Sequence, residues 1–411
     1  MPIISIVPKY NYAIMKPYDP YRKYGLTRAV NAATSLTRLG GSIPHDEVFE
    51  SMKDASRAFV RIPELQRWAG SHIAKKLGTD YALPTSGAAC ALMLASAACI
   101  FKGTELEDYD PFMKKSWTQI IQRLPLKTKG LRNEFVVMKN DRNVYDHSVE
   151  CAGGVMVEAG TSNGVKADDI HKAVNPDKTA AFYYTIQPKP ELMPIGEFAK
   201  IAHEHDLPLI VDAAPNLTHK KVPLILKERG ADLMIFSGGK QLAGPNNSGI
   251  LAGRKDLVKL AHLNSYPFDG VGRAAKMSRE TIVGLVKALD IFTERDDNQY
   301  YENMEKRSRD LAYELGNIKG LRSGVLYEPT IDPSLHPPTY TYIKSEENSS
   351  IDLKKVHQYL MESDPPIETL YEPLFISPEA GLMITFKVEY LLPGDKEIII
   401  KRLKNICDMK S

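Results

Sequence analysis

A lysine just past a buried strand is the residue of this chain best placed for covalent chemistry. The apolar run Leu233–Phe236 predicts the strand, and Ser237, Gly238 and Gly239 separate it from Lys240. Glycines allow the backbone to approach a bound group closely, and a lysine amine can hold a carbonyl compound as a Schiff base. Taken alone, these residues fit an exposed loop equally well. Other segments have to decide between the two interpretations.

A turn of small and hydroxylated residues precedes the most apolar helical stretch. Thr85, Ser86 and Gly87 follow the short run Tyr81–Leu83 and lead into a predicted helix through Ile100 that is almost wholly apolar. The first backbone N–H groups of a helix have no partner within it, and together they attract an anion. Two hydroxyls beside them predict a phosphate cradle. A serine that simply caps the helix is the alternative, and such caps are common.

An aspartate ends another buried strand. The run Leu207–Val211 is apolar, and Asp212 follows it directly. Open α/β sheets place ligand-binding groups beyond the carboxyl ends of their strands, so an acid here is a candidate ligand contact. Predicted strands and helices alternate from Val155 to Gly253, which indicates a mostly parallel sheet with helices on both faces. The cradle, the aspartate and the lysine are then expected at one edge of that sheet.

The pattern changes along the chain and predicts three segments. Residues 1–44 are interpreted as an N-terminal arm over a partner surface, residues 45–292 as a large domain with the sheet, and residues 293–411 as a smaller α+β domain. A helical pattern over about residues 278–315 is expected to form one long helix that links the two domains.

Composition excludes several classes of function. Of the 411 residues, 43% are hydrophobic and 25% are charged, as in ordinary globular proteins, and a net charge of +2 favours neither nucleic acid nor an anionic membrane. No apolar run is long enough to span a bilayer, and the N-terminus lacks the features of a signal peptide. The four cysteines have no metal-ligand spacing. We therefore predict a cytoplasmic protein with free thiols, no metal site and no membrane partner.

The order of the chemical groups along the chain, cradle then aspartate then lysine, resembles the aspartate-aminotransferase fold of pyridoxal-phosphate enzymes, fold type I. That resemblance implies an α/β large domain on a seven-stranded, mostly parallel sheet. It also implies that Lys240 binds pyridoxal 5'-phosphate as a Schiff base. Asp212 would pair with the protonated pyridine nitrogen and keep the ring an electron sink. The cradle and Ser237 would hold the phosphate.

Longer motifs narrow the resemblance. They are Arg38-Leu-Gly-Gly, Thr85-Ser-Gly-Ala-Ala, Arg142-Asn-x-Tyr-Asp, Val211-Asp-Ala-Ala, Ser237-Gly-Gly-Lys-x-x-x-Gly-Pro-x-x-Ser-Gly, and Gly272-Arg273 ahead of Lys276-x-Ser-x-Glu280-x-Ile-Val-Gly284. This set resembles the selenocysteine synthase (seryl-tRNA selenium transferase) family, nearest the branch typified by D-glucosaminate-6-phosphate ammonia lyase. The similarity runs from roughly Asn31 to Phe292, and the motif around Lys240 is its most specific part.

Carried over by position, the resemblance assigns roles to individual residues. The expected cofactor-binding residues are Ser86, Gly87, Ala88, Asp212, Ala214, Ser237 and the Schiff-base lysine Lys240. The candidates for substrate binding are Arg38, Arg142, Tyr145, His147 and Arg273. A guanidinium suits a substrate carboxylate or phosphate, although a solvated salt bridge explains each arginine as well. Neighbouring subunits complete the active sites of this family, so a homo-oligomer, dimer or higher, is implied.

Departures from the family pattern bear on the substrate. Asp141 stands where relatives often have a histidine, so a role in stacking or acid catalysis is vacant or has moved to Tyr145 or His147. Pro215-Asn216-Leu217 follows Asp212 where relatives often carry a glutamate. The domain with which selenium transferases bind tRNA has no counterpart ahead of the shared region. A tRNA substrate is therefore not expected.

The resemblance implies a lyase that acts on a small amino acid or amino-sugar acid. Lys240 would remove the α-proton, a β-substituent would leave, and ammonia and a 2-oxo acid would be released. A racemase or an aldolase would share the first step, with Tyr145 or His147 as the second acid of the racemase. Selenium or sulfur transfer to a seryl-tRNA and a non-catalytic tRNA- or protein-binding role are the remaining alternatives.

Overall fold

Two compact units make up the described part of the chain. The computed structural model describes residues 19–187, 189, 191–372 and 382–408. Gly40–Asp297 and Ile331–Leu335 form the larger unit, and the other described residues form the smaller one. Residues 1–18 of the predicted arm lie outside the described residues. Among the helices that are described, none has the length and apolar character needed to cross a membrane.

The two units contain strands and helices in mixed order. The strands are β1 Val30–Asn31, β2 Tyr81–Thr85, β3 Glu134–Met138, β4 Val155–Ala159, β5 Thr179–Thr185, β6 Leu209–Asp212, β7 Leu233–Ser237, β8 Gly249–Gly253, β9 Leu321–Tyr327, β10 Thr339–Ser345, β11 Ile367–Glu368, β12 Leu370–Glu372 and β13 Met383–Phe386. The helices are α1 Asp46–Ser56, α2 Ile62–Leu77, α3 Ala88–Phe101, α4 Lys114–Arg123, α5 His147–Glu150, α6 Ala167–Ala173, α7 Ile195–Glu204, α8 Val222–Glu228, α9 Lys255–Leu263, α10 Arg279–Glu294, α11 Asp297–Gly316, α12 Leu353–Met361 and α13 Asp395–Asp408.

A seven-stranded sheet organises the larger unit. Its strand order is β2-β8-β7-β6-β5-β3-β4, in which β8 is antiparallel to both neighbours and the other pairs are parallel. The predicted α/β class with a mostly parallel sheet is therefore confirmed. Strands that run in one direction bring their carboxyl ends to one edge. That edge carries Thr85, Asp212 and Ser237, together with Gly249 at the start of β8.

Alternate residues of the central strands pack on opposite faces of this sheet. Ile210 and Ile235 belong to one apolar cluster with α3 and α9, whereas Val211 and Phe236 belong to another with α2, α7 and α10. All four side chains are fully buried, and each contributes about 1.5–3 kcal/mol relative to an exposed position. Burial on both faces explains why these strands are continuous apolar runs in the sequence.

The predicted linking helix is two helices, so that prediction is wrong. Helix α10 ends at Glu294, and Arg295 has the extended angles φ −62° and ψ 140°. The Arg295 guanidinium donates to Asp297 Oδ1 at 3.0 and 2.8 Å, and the Lys220 backbone N–H donates to Asp297 Oδ2 at 3.0 Å. Side-chain bonds of this kind compete with helical continuation. They define a break, after which α11 begins at Asp297.

The smaller unit joins the segment ahead of Gly40 to the C-terminal part of the chain. It contains a four-stranded antiparallel sheet of order β12-β13-β10-β9. Strand β1 pairs in parallel with β11. Arg28 Nη2 lies 2.5 Å from Asp395 Oδ1, and both side chains are buried. The start of the described chain thus folds with residues far along the sequence.

A glycine in α2 is expected to be essential for packing. A Cβ on Gly70 would lie 2.1 Å from the Ala82 carbonyl oxygen of β2, so Gly70→Ala should lower stability by about 1–3 kcal/mol. Gly196 in α7 is the matched control, because a Cβ there would meet no described atom within 4 Å. Gly196→Ala should raise stability by up to about 1 kcal/mol through helix propensity. Melting temperatures from calorimetry should therefore move in opposite directions, and shifts of the same sign would contradict this packing.

Candidate active site

Backbone pairing places the predicted phosphate cradle and Ser237 on opposite sides of strand β8 at the same edge of the sheet. Gly249 at the start of β8 is the register partner of both Thr85 and Ser237. A Cβ on Gly249 would lie 2.6 Å from the Gly87 carbonyl carbon and 2.8 Å from the Ala88 nitrogen. Glycine is required at residue 249 because the turn before α3 lies directly on this strand. Gly249 and Gly87, which are distant in the sequence, are therefore in contact at the start of α3, and Ser237 lies on the next strand.

The turn before α3 is open on one side. Gly87 has φ +137°, and a Cβ there would meet no described atom within 4 Å. The Thr85 hydroxyl donates to the Gly87 carbonyl oxygen at 3.0 Å, which holds the turn. Within the part of the chain that the structure describes, no oxygen accepts from the backbone N–H of Ala88 or Ala89. Free N–H groups at a helix start, with space in front of them, fit a phosphate.

Asp212 is a buried carboxylate with little to balance its charge. The residue is 4% exposed, and the Ala214 backbone N–H donates to its Oδ1 at 2.9 Å. Burial raises the pKa of Asp212, while the Ala214 amide and the positive charge of Lys240 oppose the rise. A cationic N–H donor is the group that stabilises such a carboxylate. The protonated pyridine nitrogen of pyridoxal phosphate is a donor of this kind, so the residues present fit the cofactor.

Lys240 lies just beyond β7 at the same edge. Its side chain is half-buried, and among the described residues it has no hydrogen-bond or ion-pair partner. Burial lowers the pKa of the Lys240 amine, and the charge of Asp212 opposes this change. A lowered pKa increases the unprotonated fraction of the amine, which is the form that attacks a carbonyl carbon or accepts a proton. The arrangement therefore fits covalent attachment of a carbonyl cofactor.

The two glycines ahead of the lysine serve packing within the protein. A Cβ on Gly238 would lie 2.0 Å from Ser248 Oγ, and a Cβ on Gly239 would lie 2.6 Å from Asn246 Cα. The Ser42 backbone N–H also donates to the Gly239 carbonyl oxygen at 2.9 Å. The segment from residue 246 to residue 248 thus occupies the space next to both glycines. Packing against this segment is therefore one reason for both glycines, and their close approach to a bound group stays a prediction.

Two predicted substrate arginines of the larger unit are bound to acids. Arg142 donates through Nε to Asp146 Oδ2 at 2.5 Å and through Nη1 to Glu158 Oε1 at 2.8 Å. Arg273 Nε lies 3.5 Å from Asp269 Oδ1. A substrate anion would have to share or replace these partners. Substrate binding by Arg142 and Arg273 stays a prediction.

The remaining predicted substrate residues lie in two places. Arg38 belongs to the smaller unit, where its Nη2 lies 2.9 Å from Glu368 Oε2. Tyr145 and His147 follow β3 in the larger unit and are exposed, and His147 Nδ1 lies 2.6 Å from the Val144 carbonyl oxygen. Arg38 is thus assigned to a different unit from the other candidates. The substrate roles of these three residues also stay predictions.

A partly buried hydrogen-bond network next to Asp212 was missed from the sequence. Thr185 at the end of β5 is the register partner of Asp212, and its backbone N–H donates to Asp141 Oδ2 at 2.7 Å. Gln187 Nε2 donates to Asp141 Oδ1 at 2.9 Å, and Asn143 Nδ2 donates to Thr185 Oγ1 at 2.9 Å. Asp141, where relatives often have a histidine, therefore fastens the segment after β3 to β5. The only indication in the sequence was the aspartate at residue 141, where relatives often have a histidine.

Asp141 should make stability depend on pH. Burial raises the pKa of the Asp141 carboxyl to about 8, against hydrogen bonds from Thr185 and Gln187. The pKa of Asp141 is higher in the folded chain than in the unfolded chain. The contribution of Asp141 to the free energy of unfolding is therefore fully present below about pH 4 and is lost as the pH rises through about 8. Asp141→Asn removes this titration. Its melting temperature relative to wild type should therefore increase across that range.

Calorimetry on Asp141→Asn and wild type between about pH 5 and about pH 8 measures this increase. Exposed Asp177→Asn is the control for the simple loss of one carboxylate. A melting-temperature difference for Asp141→Asn that is the same at every pH would contradict the proposed cost of ionising Asp141.

Three comparisons with known proteins bear on the family. The family model of L-seryl-tRNA selenium transferase matches residues 146–306. The D-glucosaminate-6-phosphate ammonia lyase of Salmonella typhimurium is 30% identical over 277 residues, 66% of this chain and 69% of that protein. The 5'-C-glycyluridine monooxygenase-decarboxylase of a Streptomyces species is 28% identical over 396 residues, 90% of this chain and 92% of that protein. A solved D-glucosaminate-6-phosphate ammonia-lyase structure has TM-score 0.79 and 24% identity over 96% of this chain and 100% of that one.

These similarities confirm the resemblance predicted from the motifs, and with it the cofactor. An identity of 30% across 69% of the Salmonella protein establishes common family membership. The solved lyase shares the fold, and the sheet edge of this chain carries groups that fit both ends of pyridoxal phosphate. The chain belongs to the selenocysteine synthase-like family of fold-type I pyridoxal-phosphate enzymes, which includes D-glucosaminate-6-phosphate ammonia lyase.

Proposed function

We propose that this protein is a pyridoxal-phosphate-dependent lyase that releases ammonia and a 2-oxo acid from a small amino acid or amino-sugar acid. One observation carries the proposal. Buried Asp212 and half-buried Lys240 occupy the sheet edge with the phosphate cradle, and Lys240 has no ion-pair partner among the described residues. The Salmonella relative, which is named an ammonia lyase, supports this reaction class.

Residues of this chain would hold the cofactor at both ends. The free N–H groups at the start of α3, with Ser86 and Ser237, would bind the phosphate, and Asp212 would bind the pyridine nitrogen. Lys240 would hold the cofactor covalently through its carbonyl carbon. When bound, pyridoxal phosphate supplies an electron sink for the electron pair left on the substrate Cα.

As a free amine, Lys240 would act as the base. Because burial lowers its pKa, the amine is more readily available to accept the α-proton. The electron pair of the broken Cα–H bond would expel a hydroxyl from Cβ, which leaves as water after it takes a proton. The enamine product then takes up one water and loses its nitrogen as ammonia. The net change is loss of ammonia from the amino acid to give a 2-oxo acid.

Product release from a panel of amino-sugar acids, with and without a terminal phosphate, tests the proposal. We expect ammonia and 2-oxo acid in equal amounts, dependent on pyridoxal phosphate. In deuterium oxide, exchange at Cα without 2-oxo acid would instead identify a racemase, and an aldehyde product would identify an aldolase. A gel shift with seryl-tRNA would favour the transferase alternative. Any of these three results in place of ammonia release would overturn the lyase assignment.

The Streptomyces relative favours one second candidate function. Its alignment covers 90% of this chain, and that protein is named a monooxygenase-decarboxylase. A reaction of this class consumes dioxygen and releases carbon dioxide from an amino acid. An oxygen electrode together with a carbon dioxide assay on 5'-C-glycyluridine distinguishes the two candidates. Oxygen uptake with carbon dioxide release, and without ammonia release from the amino-sugar acids, would favour this second candidate.

We also propose that the active form has at least two copies with shared active sites and works in the cytoplasm. Large apolar side chains that remain exposed on the single chain support the assembly, among them Phe59 at 99% and Phe112 at 76%. The four cysteines are free, as in a reducing compartment. Sedimentation of the active protein should show a dimer or a larger species. A fully active monomer would contradict the shared sites.

A further inference from the structure

Tyr183 of β5 is buried without an evident partner for its hydroxyl. The residue is 0% exposed, and within the described residues its hydroxyl makes no hydrogen bond of regular geometry. An unpaired buried hydroxyl costs free energy, so it requires an explanation. The next residue, Tyr184, belongs to the apolar cluster on the other face of the sheet, and its hydroxyl donates to the Met193 carbonyl oxygen at 3.2 Å. Among the described residues, the Tyr184 hydroxyl therefore has a hydrogen-bond partner and the Tyr183 hydroxyl has none of regular geometry.

Sheet register places Tyr183 on the face that Asp212 shares. Tyr183 is the register partner of Ile210, and Thr185 is the register partner of Asp212. Residues two apart along a strand point to the same face, so all four lie on one face of β5 and β6. Tyr183 and Ile210 belong to the apolar cluster that includes α3. The carboxylate of Asp212 therefore stands one pleat beyond the tyrosine, within reach of its long side chain.

The charged groups that surround the Tyr183 hydroxyl are acids. Burial raises the pKa of Tyr183, and the charges of Asp212, Asp146 and Asp141 raise it further. Conversely, burial raises the pKa of Asp212, and the Tyr183 hydroxyl helps to hold it down. Asp146 Oδ1 also lacks a partner among the described residues. A phenol among carboxylates stabilises them by donating its hydrogen bond.

We propose that Tyr183 is a positioning residue of the cofactor site: its hydroxyl donates to the Asp212 carboxylate and keeps that carboxylate charged and oriented toward the pyridine nitrogen. The inference rests on the proposed function, because it requires Asp212 to bind the cofactor. Ala214 and Tyr183 would then be the two protein donors to Asp212. The tyrosine acts through Asp212 and takes no part in bond breaking.

Calorimetric titration of the cofactor-free chain with pyridoxal phosphate tests this role. Tyr183→Phe should weaken binding about tenfold or more, as expected for a lost hydrogen bond to a charged group. Without the tyrosine donor the pKa of Asp212 rises, so more of the carboxyl is protonated at acidic pH. The loss of affinity should therefore be larger at about pH 6 than at about pH 8. Tyr184→Phe is the matched control and should bind the cofactor as wild type does.

A double variant keeps the test independent of folding defects. In an Asp212→Asn background, Tyr183→Phe should cause no further loss of affinity, because the charge that Tyr183 supports is absent. Equal affinity of Tyr183→Phe and wild type at every pH, or the same loss in both backgrounds, would overturn this inference alone. A wild-type chain that does not bind pyridoxal phosphate would overturn the proposed function and this inference together.

Discussion

Lys240→Ala is expected to lower kcat/KM for ammonia release by about 10³-fold or more. The variant loses both the covalent attachment of the cofactor and the base that takes the α-proton. Saturating pyridoxal phosphate cannot restore the rate, because the missing group is an amine of the protein. Initial rates of ammonia release, measured at equal concentrations of folded protein, give the comparison.

An exposed lysine provides the control for this substitution. Lys227 of α8 pairs with Asp80 at 2.8 Å, so Lys227→Ala removes a lysine of the larger unit that has a surface partner. Its kcat/KM should match wild type. Added methylamine should restore part of the Lys240→Ala rate, because it supplies a base of similar chemistry. A Lys240→Ala rate within about tenfold of wild type would remove Lys240 from the mechanism.

Asp212→Asn is expected to change cofactor affinity and stability in opposite directions. Truncation of one partner of a buried charge pair costs about 2–5 kcal/mol, so affinity for pyridoxal phosphate should fall about 30-fold or more. Burial raises the pKa of Asp212, so in the cofactor-free chain the ionised carboxylate lowers stability above its unfolded pKa. Asparagine keeps an acceptor for the Ala214 N–H and carries no charge. The cofactor-free variant should therefore melt at a higher temperature than wild type at neutral pH.

Both effects can be measured on the same preparations. Titration calorimetry gives the affinity, and scanning calorimetry without cofactor gives the melting temperature. The gain in melting temperature should shrink toward acidic pH, where the wild-type carboxyl is protonated as well. A variant that melts lower without cofactor and still binds pyridoxal phosphate as tightly as wild type would contradict the role of Asp212.

The sheet edge that carries the candidate site could be predicted because buried parallel strands have a recognisable sequence pattern. Their residues are apolar on both faces, so the first polar group after each run marks the end of the strand. Asp212 and Ser237 stand at such ends, and Lys240 follows shortly after. The role of Gly249 could not be predicted in this way, because a glycine is needed there for contact with the turn at Gly87.

The network around Asp212 could not be predicted, because register between strands is a long-range property. Thr185 and Asp212 become neighbours only when β5 pairs with β6. Asp141 then accepts from the Thr185 backbone, and Tyr183 lies on the face of Asp212. No spacing along the chain encodes these relations. The sequence likewise gives no sign that Arg142, which follows β3, pairs with Glu158 on β4.

Hydrogen bonds near residue 295 explain why the segment predicted as one linking helix forms two helices. The apolar periodicity continues on both sides of residue 295, so it favours a single helix. The break depends on hydrogen bonds between Arg295 and Asp297, and on the Lys220 backbone N–H, which comes from a distant segment. Periodicity reports which face of a helix is buried and carries no information about such bonds.

Covalent attachment of the cofactor to Lys240 can be located directly by chemical trapping. The wild-type chain is loaded with pyridoxal phosphate, reduced with borohydride and digested, and the modified peptide is identified by mass spectrometry. We expect one phosphopyridoxyl group, on Lys240, and no modification at this peptide in Lys240→Ala. Modification at a different lysine, or none in a chain that binds the cofactor, would contradict the assignment of Lys240.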